Sequence, residues 1–183
     1  MQSMRTTLRI IIVVLSFLSI LVVIVTCLNN LISTNISISE PLGYYLTLPI
    51  INNIKRNDKY LICVDNPTYL NVLHSLGLPN NSNDQCSSGF PYLIKQVVGI
   101  PGDKVQVTTH GILINNHLQP NSKSFTTAHG IALYPLSIGY KITLSSGEYF
   151  VLGVTPHSVD SRYFGIIRRE QLHKQAILIF RES

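Results

Sequence analysis

The sequence has no long run of charge of one sign. It contains 14 lysines and arginines against 9 aspartates and glutamates, a formal net charge of +5 over 183 residues. No stretch of five or more like charges occurs among them. A protein surface that binds nucleic acid would concentrate basic residues in patches or tracts. Scattered charge therefore predicts ordinary solubility and no nucleic-acid partner.

The chain also lacks the spacings that bind metal ions. It has three cysteines and six histidines, but no Cys-x-x-Cys pair and no Cys/His cluster at the spacing of a zinc site. We therefore expect no metal and no other cofactor. No internal repeat, low-complexity tract or linker divides the part that comes after the N-terminal segment. That part is long enough for one domain with its own core.

One long segment carries no charge at all. From Ile10 to Leu28 nearly every residue is apolar, and at about 1.5 Å rise per residue this length spans roughly the 30 Å hydrocarbon core of a bilayer. Arg5 and Arg9 precede the segment, and the first charge after it is Glu40. The positive-inside rule predicts a cytoplasmic N-terminus (residues 1–9), a single-pass anchor in the inner membrane (10–28), and a periplasmic domain (29–183).

A cleaved signal peptide is the alternative interpretation of this segment. Its apolar region would normally be about 7 to 15 residues long and would end at a small-x-small site. Here the run is longer and ends Val-Thr-Cys-Leu at residues 25–28, without Ala-x-Ala. A lipoprotein site before Cys27 is a second alternative, for which Thr26 is a poor preceding residue. A retained anchor is the expectation.

After the anchor the pattern is mainly β. Short runs rich in Ile, Val, Leu and Tyr predict strands at 44–48, 59–64, 92–98, 104–108, 112–114, 149–154 and 175–180. Pro101-Gly102 suits a type II turn, and Asn115-Asn116 and Ser146-Gly147 suit hairpin tips. Residues 68–76 predict a short helix that ends at Gly77. We therefore predict a mainly β domain preceded by one N-terminal transmembrane helix.

The cysteines leave two interpretations open. Cys63 closes a strand-like run and Cys86 lies in a polar loop. In a domain outside the cytoplasm these two residues could form a disulfide, with Cys27 left over. The alternative is two free cysteines, one of them buried. Spacing alone does not decide, because it does not show that two sulfur atoms meet.

Three segments contain residues that can carry chemistry. They are a serine box at 35–45 (Asn-Ile-Ser-Ile-Ser-Glu-Pro-Leu-Gly-Tyr-Tyr), a lysine box at 95–103 that begins within an apolar strand, and a final box at 158–165. Taken singly, each has a simple structural interpretation. The first can be a polar loop, Lys95 can point to solvent by strand alternation, and the Ser-x-Asp-x-Arg run can be a turn with a surface ion pair.

Taken together and in this order, the three boxes resemble the signal peptidase I superfamily of Ser/Lys proteases. Within it they resemble the conjugative-transfer branch, the TraF-like peptidases that process pilin precursors. The matching residues are Asn35, Ser37, Ser39, Pro41, Gly43 and Tyr45; Lys95, Val97, Gly99, Pro101, Gly102 and Asp103; and Ser158, Asp160, Ser161, Arg162, Tyr163 and Gly165. The resemblance extends from the anchor to about Ile167, and the cysteine placement is also similar to that branch.

The chain departs from the family pattern at three places. Gln96 stands where an arginine usually follows the lysine, which removes a charge but no catalytic group. Asn57-Asp58 replaces a common Gly-Asp, and Asn also tolerates positive φ. The interval from serine to proline is one residue shorter than in housekeeping signal peptidases, which favours the conjugative-transfer branch.

The resemblance implies a signal-peptidase-like fold and a serine endopeptidase that removes signal or leader sequences from exported precursors. Ser39 is the implied nucleophile and Lys95 its base. A free lysine has a pKa near 10.4, so it serves as a base only where apolar surroundings disfavour the ammonium; Leu93, Ile94, Val97 and Val98 are candidates to supply them.

The remaining roles also come from the resemblance. The backbone N–H of Ser39 and the hydroxyl of Ser37 would form the oxyanion hole. Ser158 would hydrogen-bond the lysine, and Asp160 and Arg162 would support the final box. The expected partners are a lipid bilayer and a precursor protein, which we expect to be a conjugative pilin precursor.

Other functions remain as alternatives. His157 adjoins the final box, so a Ser/His site is conceivable, although the six histidines form no evident triad. A general signal peptidase would use the same chemistry on secreted proteins. A non-catalytic, membrane-anchored assembly factor of a secretion or conjugation apparatus belongs to a different class. Only 11 residues separate Leu28 from Ser39, a reach of at most about 40 Å, so an active site would lie close to the bilayer face.

Overall fold

The computed structural model describes residues 2–29, 31–77 and 86–182. The chain divides into two compact units, Met1–Ser33 and Thr34–Ser183. Compactness does not report membrane position, so the sequence-based division at residues 9, 28 and 29 stays a prediction. The side chains of Arg5 and Cys27, which entered the expectations for the anchor, lie outside the described part of the structure.

The first unit consists mainly of one helix, α1 (Gln2–Asn29). It contains no glycine or proline, the residues that most weaken a helix interior. Its stretch Arg9–Thr26 has a mean hydropathy of 2.8, and none of it is buried. The hydroxyls of Ser16, Ser19 and Thr26 donate to carbonyls three or four residues earlier, so they are satisfied within the helix. These properties are those of a single membrane anchor or of a signal sequence.

The rest of the chain is mainly β, as predicted. Its helices are α2 (Pro67–Ser75) and α3 (Ser161–Phe164), with a 3-10 helix at Arg169–Gln171. The strands are β1 (Ile32–Asn35), β2 (Gly43–Pro49), β3 (Lys59–Ile62), β4 (Leu93–Gly99), β5 (Lys104–Thr108), β6 (Gly111–Ile114), β7 (His117–Leu118), β8 (Thr127–Ala128), β9 (Ile131–Ala132), β10 (Lys141–Thr143), β11 (Glu148–Leu152), β12 (Ile167–Arg168) and β13 (Leu172–Arg181).

The main sheet has seven strands in the order β1-β2-β13-β3-β4-β11-β12. The C-terminal strand β13 pairs antiparallel with both β2 and β3, so the end of the chain joins the serine box to the centre of the sheet. Strand β3 in turn pairs with β4, with Tyr60 opposite Lys95. The serine box leads into β2 and the lysine box begins on β4, which brings the two boxes to one region of the fold.

A second sheet, in the order β10-β5-β6-β7, packs against strands β4 and β11 of the main sheet. One apolar cluster of β5 and β6 residues includes Val98 and Phe150 of the main sheet, whereas Val97 belongs to another cluster with Tyr60, Ile62 and Val151. Strand β4 is thus covered on both faces. This burial explains why its sequence is an almost continuous apolar run.

Two of the three predicted turns are present as expected. Gly102 has φ +90°, as a type II turn at Pro101-Gly102 requires. Asn115 and Asn116 have φ +50° and +68° and form the two-residue turn between the paired strands β6 and β7, the geometry of a type I′ hairpin. At the third, Ser146-Gly147, Gly147 has φ +78° in a turn, but the turn connects β10 to β11, which belong to different sheets, so it is not a hairpin tip. Asn57 has φ +71°, so it accepts the conformation that glycine has in the family pattern.

All seven predicted runs lie in strands, with ends that differ by at most three residues. The predicted helix is α2, which begins at Pro67 because the Asn66 side chain caps it by accepting from the Thr68 N–H. The short strands β1, β7, β8, β9, β10 and β12 and the helix α3 were not predicted. They span two to four residues, too few for a periodic signal.

The structure joins Cys63 and Cys86 in a disulfide. The bond links the end of β3 to the segment before β4, and both residues are buried. It closes a loop of about two dozen residues that contains α2. The sequence left open whether these cysteines are free or bonded, and the structure shows the disulfide.

Candidate active site

A single asparagine holds the serine box in a tight loop. The Asn35 side-chain amide donates to the carbonyls of Ser37, Glu40 and Pro41 at 2.9–3.0 Å, and its oxygen accepts from the Ser37 N–H. These four bonds curl the chain around Ser39 between β1 and β2. The Ser39 carbonyl accepts from the Val154 N–H at 2.9 Å, which ties the loop to the end of β11.

The rest of the serine box explains its Pro-x-Gly-x-Tyr spacing. Tyr45 is fully buried on β2 and donates to the Pro41 carbonyl at 2.8 Å. Burial raises the pKa of Tyr45 to about 12, so its hydroxyl keeps its proton for this bond at any physiological pH. Gly43 has φ +138°, and a Cβ there would lie 2.0 Å from the Phe180 carbonyl oxygen. Only glycine fits this contact with β13.

Lys95 reaches the loop of the serine box from β4. Its amine Nζ lies 2.8 Å from Ser39 Oγ and 3.0 Å from Ser158 Oγ. Lys95 is only 2% exposed. Its side chain therefore does not point to solvent, which was the simple structural alternative. The three boxes thus meet in one hydrogen-bonded group of side chains.

The surroundings of Lys95 favour an uncharged amine. Burial lowers the pKa of Lys95 from its ordinary value to about 8, and the Asp160 and Glu40 carboxylates oppose this change. Of the four apolar neighbours named from the sequence, Val97 and Leu93 pack in one cluster, while Ile94 and Val98 belong to two others. Alternation along β4 therefore leaves Leu93 and Val97 as the neighbours on the Lys95 face.

Ser37 lies beside Ser39. Its hydroxyl is 3.0 Å from Ser39 Oγ and 3.3 Å from the Ser39 backbone nitrogen, from which it accepts. The two groups expected in the oxyanion hole are therefore neighbours that bond each other. A substrate oxyanion would have to displace Ser37 Oγ as the acceptor of the Ser39 N–H, and the Ser37 hydroxyl would have to turn its hydrogen toward the oxyanion.

Asp160 and Arg162 form a fully buried ion pair behind Ser158. Arg162 Nε and one terminal nitrogen donate to the two Asp160 oxygens at 2.8 Å. The guanidinium also donates to five backbone carbonyls, those of Asn121, Lys123, Thr155, Pro156 and Ser158. The pair therefore fixes the backbone that presents Ser158 to the lysine.

Gly153 is a site residue that the sequence reasoning missed. Its N–H donates to Asp160 at 2.9 Å. A Cβ at Gly153 would lie 2.1 Å from Ser158 Oγ and 2.8 Å from the Ser39 carbonyl oxygen. The available signal was a glycine inside a predicted strand, which often marks a close backbone approach. The strand β11 in fact ends just before it, at Leu152.

A cleft of about 650 Å³ lies over Ser39 and Lys95. Its walls are mostly apolar and come from the serine box, the end of α2, β4 and the β8–β9 hairpin region. The lining side chains include Ile36, Ile38, Leu73, Leu93, Phe125 and Leu133. Such a surface can accept an extended peptide with apolar side chains next to Ser39.

The histidines lie apart from the serine–lysine contact. All six are exposed; His129 and His157 line the cleft, and His157 stacks on Phe125 with ring centres 5.3 Å apart. Among the described residues, Ser39 Oγ bonds the side chains of Lys95 and Ser37. Within the same residues no group of three or more His, Cys, Asp or Glu side chains is placed to hold a metal ion.

Comparisons with known proteins agree with the resemblance seen in the sequence. Residues 3–181 match the family described as signal peptidase, peptidase S26. A conjugal transfer protein TraF of Agrobacterium fabrum is 26% identical over 133 residues, 73% of each chain. A plasmid transfer protein TraF of Escherichia coli is 30% identical over 88 residues, 48% of this chain and 50% of that protein.

A solved structure is also similar. The signal peptidase I of Enterococcus faecalis V583 overlaps with 68% of this chain and 97% of its own, at 20% identity and a TM-score of 0.36. The family match spans nearly the whole sequence, including all three boxes that meet around Lys95. The chain therefore belongs to the signal peptidase family, peptidase S26.

Proposed function

We propose that this protein is a membrane-bound serine endopeptidase that uses a Ser39/Lys95 dyad to remove a leader sequence from an exported precursor. The observation that carries the proposal is the 2.8 Å contact between Lys95 Nζ and Ser39 Oγ inside a buried site. A serine hydroxyl is a weak nucleophile and needs such a base. Family membership supports the same chemistry.

The proposed reaction is built on the positions of these side chains. The neutral Lys95 amine takes the proton of Ser39 as its oxygen attacks the scissile carbonyl, and it returns the proton to the leaving amine. Ser158 holds the lysine amine at 3.0 Å. Water then attacks the acyl-enzyme, with the same lysine as base, and frees Ser39. Asp160 and Arg162 act as positioning residues.

The proposed oxyanion hole gives a specific expectation for Ser37→Ala. The backbone N–H of Ser39 would remain as a donor, but the hydroxyl would be lost. Removal of one such donor lowers kcat by about 10²- to 10³-fold, with little change in KM because the ground-state carbonyl is bound less strongly. Steady-state cleavage of a precursor peptide measures both constants. A kcat near the wild-type value would exclude Ser37 from the hole.

The pH dependence of cleavage depends on the lowered lysine pKa. Neutral Lys95 is the active form, so kcat/KM is expected to rise with pH, to bend near pH 8 and to level off above about pH 9. At pH 6 the neutral fraction, and with it the rate, should be about 100-fold below the plateau. A flat profile, measured with chemistry rate-limiting, would exclude Lys95 as the base.

The proposed site of action is the outer face of the inner membrane. Helix α1 supplies the anchor, residues 1–9 the cytoplasmic end, and residues 29–183 the periplasmic catalytic domain. The disulfide between Cys63 and Cys86 supports an oxidising compartment. The short connection from Leu28 to Ser39 keeps the nucleophile near the bilayer, where the cleavage site of a membrane-inserted precursor would emerge.

A conjugative pilin precursor is the substrate that we propose. The relatives with conjugal and plasmid transfer in their names support this choice over secreted proteins in general. The apolar cleft beside Ser39 suits the extended segment that ends a leader sequence. A general signal peptidase would accept many secreted precursors through the same cleft.

Co-expression separates these functions. The full chain, or its Ser39→Ala variant, is expressed with the candidate pilin and, in parallel, with an unrelated secreted precursor. Mass spectrometry then reads the N- and C-termini of each product. We expect Ser39-dependent cleavage of the pilin alone. Cleavage of both precursors indicates a general signal peptidase, and no Ser39-dependent product from either supports the non-catalytic assembly factor.

A further inference from the structure

The residue directly after the nucleophile carries a buried charge that the proposed reaction does not use. Glu40 is 1% exposed. One of its carboxylate oxygens accepts from the amine of Lys59 on β3. The other, Oε1, is also buried and has no hydrogen-bond partner among the described residues. Burying a carboxylate with one unbonded oxygen is costly. Burial raises the pKa of Glu40, and the salt bridge with Lys59 opposes that rise.

Two links connect the serine box to neighbouring strands. Ser39 bonds Lys95 on β4, and the next residue, Glu40, bonds Lys59 on β3. The register of these strands places Tyr60 opposite Lys95, so Lys59 lies one residue from the position that faces the lysine base. Alternation turns the Lys59 and Lys95 side chains to opposite faces of the sheet. The ion pair is close to the Ser39–Lys95 contact because buried Glu40 directly follows Ser39 in the chain.

The charges around Lys95 come from three parts of the fold. Asp160 and Arg162 belong to the final box, Glu40 to the serine box, and Lys59 to β3. The Asp160 carboxylate already has two bonds from Arg162, one to each oxygen. Glu40, by contrast, has an oxygen without a partner among the described residues. Its charge is therefore less completely neutralised by local bonds.

We propose that Glu40 is a positioning residue of the active site, whose buried carboxylate, held by Lys59, balances the protonation of the Lys95 amine between catalytic turnovers. The proposal rests on the proposed function, since it assigns Lys95 as the base. A carboxylate nearby stabilises the ammonium form that exists after Lys95 has taken the Ser39 proton. Lys59 limits this effect by favouring the neutral amine, so that Lys95 still loses its proton at a lower pH than a free lysine does.

The proposal makes the charge of Glu40, and not its size, the property that matters. Glu40→Gln keeps the shape and removes the negative charge, so the Lys95 amine should lose its proton at lower pH, by about half to one pH unit. Adding Lys59→Met to this variant removes the remaining positive charge and should move the titration midpoint back toward the wild-type value. Glu170→Gln and Lys104→Met, on exposed residues, are the matched controls.

Two measurements on the full chain in detergent test the proposal. Carbon-13 NMR of the lysine side chains follows the Lys95 titration, with the signal assigned by its loss in Lys95→Met. The pH profile of kcat/KM for precursor cleavage gives the second midpoint. We expect both midpoints to fall in Glu40→Gln and to stay at the wild-type value in the controls. In the double variant both should lie between the wild-type value and the Glu40→Gln value.

The outcomes separate this proposal from the proposed function. A Lys95 midpoint in Glu40→Gln equal to that of wild type overturns the role of Glu40, even if kcat falls. The NMR titration does not require cleavage, so an inactive wild-type protein would refute the endopeptidase alone. If Glu40→Gln does not fold, the double variant, which removes both charges of the Glu40–Lys59 pair, is compared with wild type. Glu40 acts on Lys95 more strongly than Lys59 does, so its midpoint should still fall.

Discussion

Ser39→Ala is expected to abolish precursor cleavage, with kcat lowered by about 10⁴-fold or more. The hydroxyl is the atom that would form the acyl-enzyme, and its neighbour Ser37 is held in the loop by different bonds and cannot take its place. Asn35 and Val154 hold the backbone of the serine box, so the loop should keep its shape without the hydroxyl. The loss is therefore chemical and not a failure to fold.

Lys95→Ala should lower kcat to a similar extent, and the double variant should be no worse than either single one. Residues that act as one unit in a reaction show such non-additivity, since removal of either stops the same step. Cleavage of a precursor peptide by the purified full chain measures the effect. Ser145→Ala and Lys104→Ala, on exposed residues, should retain wild-type rates.

Persistent cleavage by both active-site variants would refute the dyad. Equal losses in the exposed controls would show that the assay reports on folding or on detergent. An additive double variant would mean that Ser39 and Lys95 act in separate steps, which contradicts a lysine that activates this serine. The three results are distinguishable in one series of rate measurements.

Arg162→Met is expected to lower the free energy of unfolding of the domain by about 3–5 kcal/mol. The substitution is apolar and keeps an unbranched stem, but it leaves the fully buried Asp160 carboxylate without its counter-charge. It also leaves five backbone carbonyls of residues 121–158 without the guanidinium donor. Removal of one partner from a buried ion pair is among the most destabilising single changes.

Chemical denaturation of the full chain in detergent measures this loss, and Arg181→Met is the matched control. Arg181 is exposed at the end of β13, so its replacement should change the free energy by no more than about 0.5 kcal/mol. Cleavage by Arg162→Met should fall as well, since Ser158 would no longer be held against Lys95. A stability within about 1 kcal/mol of wild type would contradict the structural role given to the pair.

Sequence reasoning could name the candidate site residues because they occur in three compact boxes. Ser39, Ser37, Lys95, Ser158, Asp160 and Arg162 were all named as candidates, and the structure brings them into one group. Whether they perform the proposed chemistry stays a prediction until the variants are measured. The strands were predictable because each run has enough apolar and β-branched residues to specify an element.

Other features could not be predicted because they depend on contacts between distant parts of the chain. Glu40 is not among the serine-box residues that match the family pattern, and nothing in the sequence indicates that Lys59 would meet it. Gly153 is required by the approach of Ser158 and Ser39 from two different segments. Strand β4 pairs with β11 along one edge and with β3 along the other. These pairings decide which face of the sheet the Lys95 side chain points to.

The amino-acid sequence by itself determined which residue types stand at the reacting positions, the apolar helix before them and the mainly β character of the domain after that helix. These are local properties, set by side-chain chemistry and by periodicity along a few residues. Only the tertiary structure decided that Lys95 is buried against Ser39, that Cys63 bonds Cys86 and that Glu40 lies beside the base with Lys59. Such outcomes depend on pairings across 19 to 56 residues, because burial and electrostatic environment arise only when distant segments pack together.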